Sequence, residues 1–377
     1  YAMESPRRAT LDDLPLISAL IDQTFRKIQL DAGAKDVMLG QFPMLFAPEN
    51  VGNLWVARDG DRIASHVGVL PAAMIIEGCR AGSASIGSVA TGDAYRGQGL
   101  ASTLMEKAIA ASIQSGCPIM PISGGRSLYT RIGATAPCQG TDYSIPLKKT
   151  EPFIDRALTV RLAITDDIPV IAAFHRKSAV RYHRRPDIYH NIMANGFFHN
   201  APGRLLLVSG PRGVLGYIAL QTRSDNTLFI IETGGDARAI IGSINVAVRC
   251  VQPGVSAERV KLFVPNGNLT LDSIAATICE SSEPHFGGTF LITDPARLLN
   301  DLEPYQDEQL GGGLRVRIAI EDGDAVISLV STADGSTIES QKRPAAQMSA
   351  LLLGTPDEKS ERPSLAPGAL SDAVARL

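Results

Sequence analysis

The chain has 377 residues, enough for two or three domains, and 39 acidic against 36 basic side chains leave a net charge of −3. Apolar residues make up 45% and charged residues 20%, a globular mix that excludes a disordered or fibrous chain. There is no basic excess of the kind that suits nucleic acid or anionic lipid, and no apolar run approaches the ~18 residues that a bilayer requires.

Residues 1–8 are polar, so no signal peptide is expected; Met3 reads as a native start, and the expected location is the cytoplasm. Next comes a pattern that occurs twice. Arg7-x-Ala9-x-x-Asp12-Asp13-x-Pro15-x-Ile17-x-Ala19 returns one domain length later as Arg161-x-Ala163-x-x-Asp166-Asp167-x-Pro169-x-Ile171-x-Ala173. Each copy reads as a short strand, a capping Asp or Thr, and a helix with Pro in its first turn. Leu14, Ile17, Ala19 and Leu20 are predicted to face inward in the first copy, and Ile168, Ile171, Ala172 and Phe174 in the second.

The first copy continues with predicted strands at 54–58 and 63–70 around Asp59-Gly60-Asp61, then at 74–77 and 84–91. A helix follows at 100–115, with Leu104, Met105, Ala108, Ile109 and Ile113 at helical spacing. Residues 118–122 predict a strand, 126–131 a short helix closed by Gly133, and 141–147 a run into a charged linker at 148–151. The second copy keeps this order, with strands at 204–209, 214–221 and 228–232, a helix at 237–251, a strand at 260–264 and a helix at 269–279. Residues 281–288, rich in Ser, Pro and Gly, read as a break. Beyond it come a strand at 290–293, a helix capped by Asp294, a hairpin of 314–320 and 325–330 around Asp322-Gly323, and a helix at 345–353. The tail after Gly354 reads as loosely held, and composition leaves open whether its end, Ala373–Leu377, docks elsewhere.

Cys79, Cys117, Cys138, Cys250 and Cys279 are scattered without a CxxC pair, and no histidines form HxH or HExxH, so neither a disulfide framework nor a metal site is expected. A basic cluster from His175 to Arg185 is expected to be a solvated helix end or an oligomer contact.

The segment that carries chemistry is Val89-Ala90-Thr91-Gly92-Asp93-Ala94-Tyr95-Arg96-Gly97-Gln98-Gly99-Leu100-Ala101-Ser102. A strand runs into a glycine-rich turn that opens a helix. Small residues let backbone approach a ligand, and the free N–H groups of the helix's first turn form an anion seat suited to a pyrophosphate. The spacing is neither GxxxxGK[ST] nor GxGxxG.

With its flanking strand and helix, this segment resembles the pyrophosphate motif of the GNAT superfamily of acetyl-CoA-dependent N-acetyltransferases. The resemblance implies that the backbone of Val89, Ala90 and Thr91 pairs with the pantetheine arm. It implies that Gly97, Gln98, Gly99, Leu100, Ala101 and Ser102 hold the pyrophosphate, with Arg96 adding charge. Downstream, Ser123-Gly124-Gly125-Arg126-Ser127-Leu128-Tyr129-Thr130-Arg131-Ile132-Gly133 resembles the second GNAT signature. There Gly124 and Gly125 belong to the cofactor site, and Tyr129 would protonate the departing CoA thiolate.

Over nearly the whole chain, the order of elements resembles the Eis (enhanced intracellular survival) acetyltransferases. The implied fold is α/β (α+β): two tandem GNAT folds with mixed sheets flanked by helices, and a C-terminal sterol-carrier-like domain. The expected domains are 1–150 with acetyl-CoA, 151–287 as a degenerate second copy, and 288–377. In the second copy Glu232-Thr-Gly-Gly235-Asp236 replaces the turn and sets carboxylates where phosphates would sit, so one acetyl-CoA per chain is expected. The resemblance implies a small-molecule or peptide amine as acceptor (an aminoglycoside, a polyamine or a lysine side chain) and a homo-oligomer, a hexamer. Nucleic acid and membrane are not expected partners, and no metal is expected.

Most alkyl amines are protonated at neutral pH, so a base is needed. The resemblance implies the C-terminal carboxylate, here that of Leu377; His66 and a water chain are alternatives. Two other classes remain open: a non-catalytic carrier of an apolar ligand, and a module that senses acetyl-CoA without transferring its acetyl group.

Overall fold

The computed structural model describes residues 3–31, 33, 36–198, 201–223, 227–252, 257–354 and 364–377. His199 and the first two residues lie outside the described residues. The chain divides into two compact units, residues 1–138 with 286–377, and residues 139–285.

In the first unit, β1 (Arg7–Arg8), β2 (Leu54–Asp59), β3 (Arg62–Ile76), β4 (Cys79–Thr91) and β5 (Ile119–Ile122) lie side by side in that order, and Thr289–Ile292 adds to β5. All neighbours are antiparallel except β4 and β5, which run parallel. Because successive side chains alternate across a strand, Leu54 and Val56 face one way and Ala57 the other. Helix α1 (Leu14–Phe25) covers the first face through Ile17, Leu20 and Ile21. The helix Leu100–Gln114 covers the second through Leu104, Met105 and Ala108, packed on Val67, Val69, Ala84 and Ile86. The runs 63–70 and 74–77, expected as two strands, form one. Pro71 falls beyond Gly68, the last residue that β2 pairs, so its missing N–H removes no bond from that ladder.

The C-terminal residues form a three-stranded antiparallel sheet, Leu314–Glu321, Asp324–Ser331 and Thr337–Pro344. The expected helix at 345–353 is a 3-10 turn, Ala345–Gln347, leading into Met348–Leu353. Of the tail after Gly354, residues 355–363 lie outside the described residues, and its end, which composition left open, packs on the sheet. Residues 369–376 form a helix, Ala369–Arg376, whose Leu370 and Ala373 are buried on the sheet with Val316, Ile327 and Leu329. Glu339 holds its start by accepting the Leu370 N–H at 3.0 Å.

The second unit repeats the plan. Its sheet runs in the order Ser281–His285, Gly140–Pro146, Arg259–Pro265, Leu228–Gly235, Gly213–Thr222, Ala201–Gly210 and Thr159–Leu162. The helix Ala237–Val251 buries Ile240, Ile241, Ile244, Ala247 and Val248 against it. Gly140–Pro146, the end of the first domain as read from sequence, pairs here with Arg259–Pro265. The expected break at 281–288 contains a strand. Ser281–His285 pairs with Gly140–Pro146 at the sheet edge, where Pro284 is tolerated.

Each repeat copy closes on itself in the same way. Asp13 accepts from Arg7 at 2.7 Å and from the Thr10 N–H at 2.8 Å; Asp167 accepts from Arg161 at 2.6 Å and from the Ile164 N–H at 2.8 Å. The repeated Arg and Asp are thus one device that turns a strand into a helix.

Candidate active site

β4 and β5 pair only at Ser83 with Ile119 and Ile86 with Ile122, and the Ser123 N–H closes the vertex on the Ile86 carbonyl at 3.1 Å. β5 then ends, whereas β4 continues to Thr91, so the two open into a fork. A bulge bends the longer arm: Ser88 has φ +49°, and the β3–β4 register shifts between His66 and Gly68. Ala90 stays in register with His66, and Thr91 pairs with Ser65, their hydroxyls 2.8 Å apart.

The glycine turn follows. Gly97 (φ +79°) and Gly99 (φ +75°) are left-handed, and a Cβ on either would meet nothing within 4 Å. Conformation therefore demands glycine here, and the space above the turn is open. The helix Leu100–Gln114 starts on Gly99 with no side-chain cap, so its first N–H groups remain available to an anion. Arg96 is exposed and paired with Asp93 at 2.8 Å. Gln98 reaches the Ala94 carbonyl at 3.4 Å, Leu100 rests on the core, and Ala101 and Ser102 are half-buried in the first helical turn. Gly124 and Gly125 form the exposed loop after β5, and the Gly124 carbonyl accepts from the Thr289 hydroxyl at 3.1 Å.

A cleft of about 390 Å³ joins these parts, lined by Thr24, Val89, Thr91, Arg96, Ala101, Arg126, Ser127 and Leu128. The structure thus brings Val89, Thr91, Arg96 and Ala101 together. Thr24, Arg126, Ser127 and Leu128 were given no role. Arg126 stood inside the signature already quoted, but Thr24, at the end of α1, carries no local signal. Arg126 precedes the helix Ser127–Arg131 and reaches across the fork: its Nη1 lies 3.5 Å from the Val89 carbonyl and its guanidinium 5.8 Å from the centre of the Phe25 ring.

Tyr129 lies one residue beyond the lining Leu128. It is 2% exposed and packed in the core under the cleft, not among the lining residues. Burial pushes its phenol up, and the nearby charge of Arg126 offsets part of that rise. His66 is sealed. Its Nε2 lies 3.1 Å from the Ser88 hydroxyl, its Nδ1 has no partner, and burial pushes its pKa down to about 4. Leu377 packs beside Val374 on the core of the C-terminal sheet and is not a lining residue. Among the described residues no group of three or more His, Cys, Asp or Glu could hold a metal, and no helix is long and apolar enough to cross a membrane.

The second unit has a similar fork, because Leu228–Gly235 and Arg259–Pro265 pair only at Phe229 with Lys261 and Ile230 with Leu262. Its anion seat differs. The Asp236 carboxylate caps the helix, accepting from the Ala239 N–H at 2.8 Å. Gly235 leaves no room: a Cβ there would stand 2.1 Å from the Leu215 carbonyl. Glu232 takes both nitrogens of Arg184 at 2.7 Å and the Tyr217 hydroxyl at 2.8 Å. Burial opposes the charge on Glu232, but Arg184 outweighs it and holds the carboxyl down to about 2. His175 is buried nearby. The basic cluster is therefore mixed: Arg176 and Lys177, just past the helix end, are exposed with His183 and Arg185, as a solvated helix end would be, whereas His175 is buried and Arg184 turns inward to Glu232.

Comparison with known proteins agrees with this geometry. Residues 5–135 match the acetyltransferase (GNAT) domain family. The fold over nearly the full chain is shared with several solved structures. The GCN5-related N-acetyltransferase from Kribbella flavida is 15% identical with a TM-score of 0.62, covering 94% of this chain and 91% of that one. A probable N-acyltransferase from Enterococcus faecalis V583 is 13% identical with a TM-score of 0.66, covering 92% and 86%. Eis1 from Mycobacterium abscessus is 14% identical with a TM-score of 0.58, covering 98% and 96%. A search of curated protein sequences gave no match. Residues 5–135 are thus similar to an acetyltransferase (GNAT) domain, and the fold is shared with these solved structures.

Proposed function

We propose that this chain transfers an acetyl group from acetyl-CoA to a primary amine. The observation that carries the reading is the joining, in one cleft, of the free end of β4 to an uncapped helix entered through left-handed glycines. That is what a co-substrate with a strand-like arm and a pyrophosphate requires. The backbone of Val89, Ala90 and Thr91 takes the arm, and residues 97–102 take the pyrophosphate beside Arg96.

In the reaction the amine nitrogen attacks the thioester carbonyl. The tetrahedral adduct collapses, the C–S bond breaks, and Tyr129 protonates the leaving thiolate. A phenol whose pKa is raised by burial keeps its proton at neutral pH, as an acid must. The proton lost by the amine passes first to water, since neither a carboxylate nor an imidazole is among the lining residues. The capped helix of the second unit supports one acetyl-CoA per chain.

Release of CoA thiol on mixing protein, acetyl-CoA and a panel of amines tests the reading. Release above the no-amine rate, lost in Ala101→Glu and Gly99→Glu proteins that melt like the wild type, supports it. Release that survives both variants, or never exceeds hydrolysis, contradicts it.

A further inference from the structure

The cleft has two cations and no lining carboxylate. They differ in position and in partner. Arg96 stands at the glycine turn and is already matched by Asp93. Arg126 stands past the other arm of the fork, four residues after Ile122, where the β4–β5 pairing stops. Its partners are one carbonyl at 3.5 Å and the face of Phe25, and neither carries a charge. Most of its five N–H donors are therefore uncommitted, at the start of the helix that carries the buried Tyr129.

We propose that Arg126 binds the carboxylate of the acceptor, so that the preferred substrates are amines that carry a carboxylate close to the amino group, as amino acids and short peptides do. The inference rests on the acetyltransferase reading. The pyrophosphate has its own seat at the helix start beyond Thr91, whereas Arg126 follows the other arm of the fork and brings its guanidinium beside Val89. A guanidinium presents a planar fork of donors that matches a carboxylate. Polyamines and aminoglycosides bring only positive charge to a cleft end that is already cationic. The Phe25 ring lies beside the guanidinium, and the weak bond to Val89 can be exchanged for a stronger, charged one.

The test compares matched pairs: an α-amino acid against the amine left by removing its carboxyl group, and a dipeptide against its decarboxylated analogue, with spermidine as the polycation. The wild type is expected to favour the carboxylated member by about tenfold or more in kcat/KM. Arg126→Gln should bring that ratio to about one with acetyl-CoA affinity unchanged, and Arg126→Lys should restore part of it. Equal rates within pairs, or a preference for spermidine, would overturn the inference. So would an Arg126→Gln protein that loses acetyl-CoA affinity and keeps the wild-type ratio; Arg126 would then be a phosphate ligand. Acetyl-CoA binding without turnover of any carboxylated amine would also overturn it while leaving the cofactor site standing. If acetyl-CoA does not bind the wild type at all, both readings fall.

Discussion

Arg7 and Asp13 lock the first strand to the first helix, with Nη1 2.7 Å from Oδ2, and the carboxylate is buried beneath the guanidinium. Burial alone would raise the Asp13 pKa, but hydrogen bonds from Arg7 and Thr10 outweigh it and hold it at about 2. The ionised form is thus favoured by folding. Its contribution is complete above the unfolded value near ~4 and is lost as pH falls toward 2. Asp13→Asn should destabilise the first unit by about 1–3 kcal/mol at pH 7 in denaturant titration, and much less at pH 3. An equal loss at both values would contradict the linkage.

His66 and His175 titrate in the opposite chemical sense. Burial is the largest influence on each and pushes both to about 4, below the ordinary ~6.5. Both are neutral in the fold at pH 7. Their contribution is full above pH ~6.5 and declines as pH drops toward 4, because the unfolded chain takes up protons first. Unfolding midpoints measured between pH 7 and 5 should fall, and His66→Gln should flatten that slope.

The second unit depends on Arg184 and Glu232 together. Removing one member of a buried pair strands the other charge, so Arg184→Met should cost about 3–5 kcal/mol. The double variant Arg184→Met with Glu232→Gln should recover a substantial part of that loss. A double variant no better than the single one would show that the pair acts through packing alone.

Tyr129→Phe isolates the acid. The ring still fills the core, so the melting temperature should move little. kcat should fall by about 100-fold or more, with the KM for acetyl-CoA retained. An unchanged kcat would remove Tyr129 from the chemistry.

Features written locally were legible in the sequence. The Arg–Asp device recurs with fixed spacing because each copy needs the same guanidinium under the same turn. The β4–helix junction shows because left-handed φ admits little besides glycine at positions 97 and 99. Partnerships between distant segments were not legible. Ser281–His285 is a solvent-exposed edge strand without apolar alternation, and Thr337–Pro344, also missed, is polar along most of its length. Their pairing is set by the neighbouring strands and not by their own pattern. Thr24 lines the cleft and Phe25 lies beside Arg126 only because α1 ends beside the fork. The seat of the Ala369–Arg376 helix depends on Glu339, thirty-one positions before Leu370.

The most direct test of the account is a calorimetric titration of the full chain with acetyl-CoA. The account predicts one site per chain, abolished by Ala101→Glu in the first unit and untouched by Asp236→Asn in the second. Two sites per chain, or a single site that survives Ala101→Glu, would contradict it.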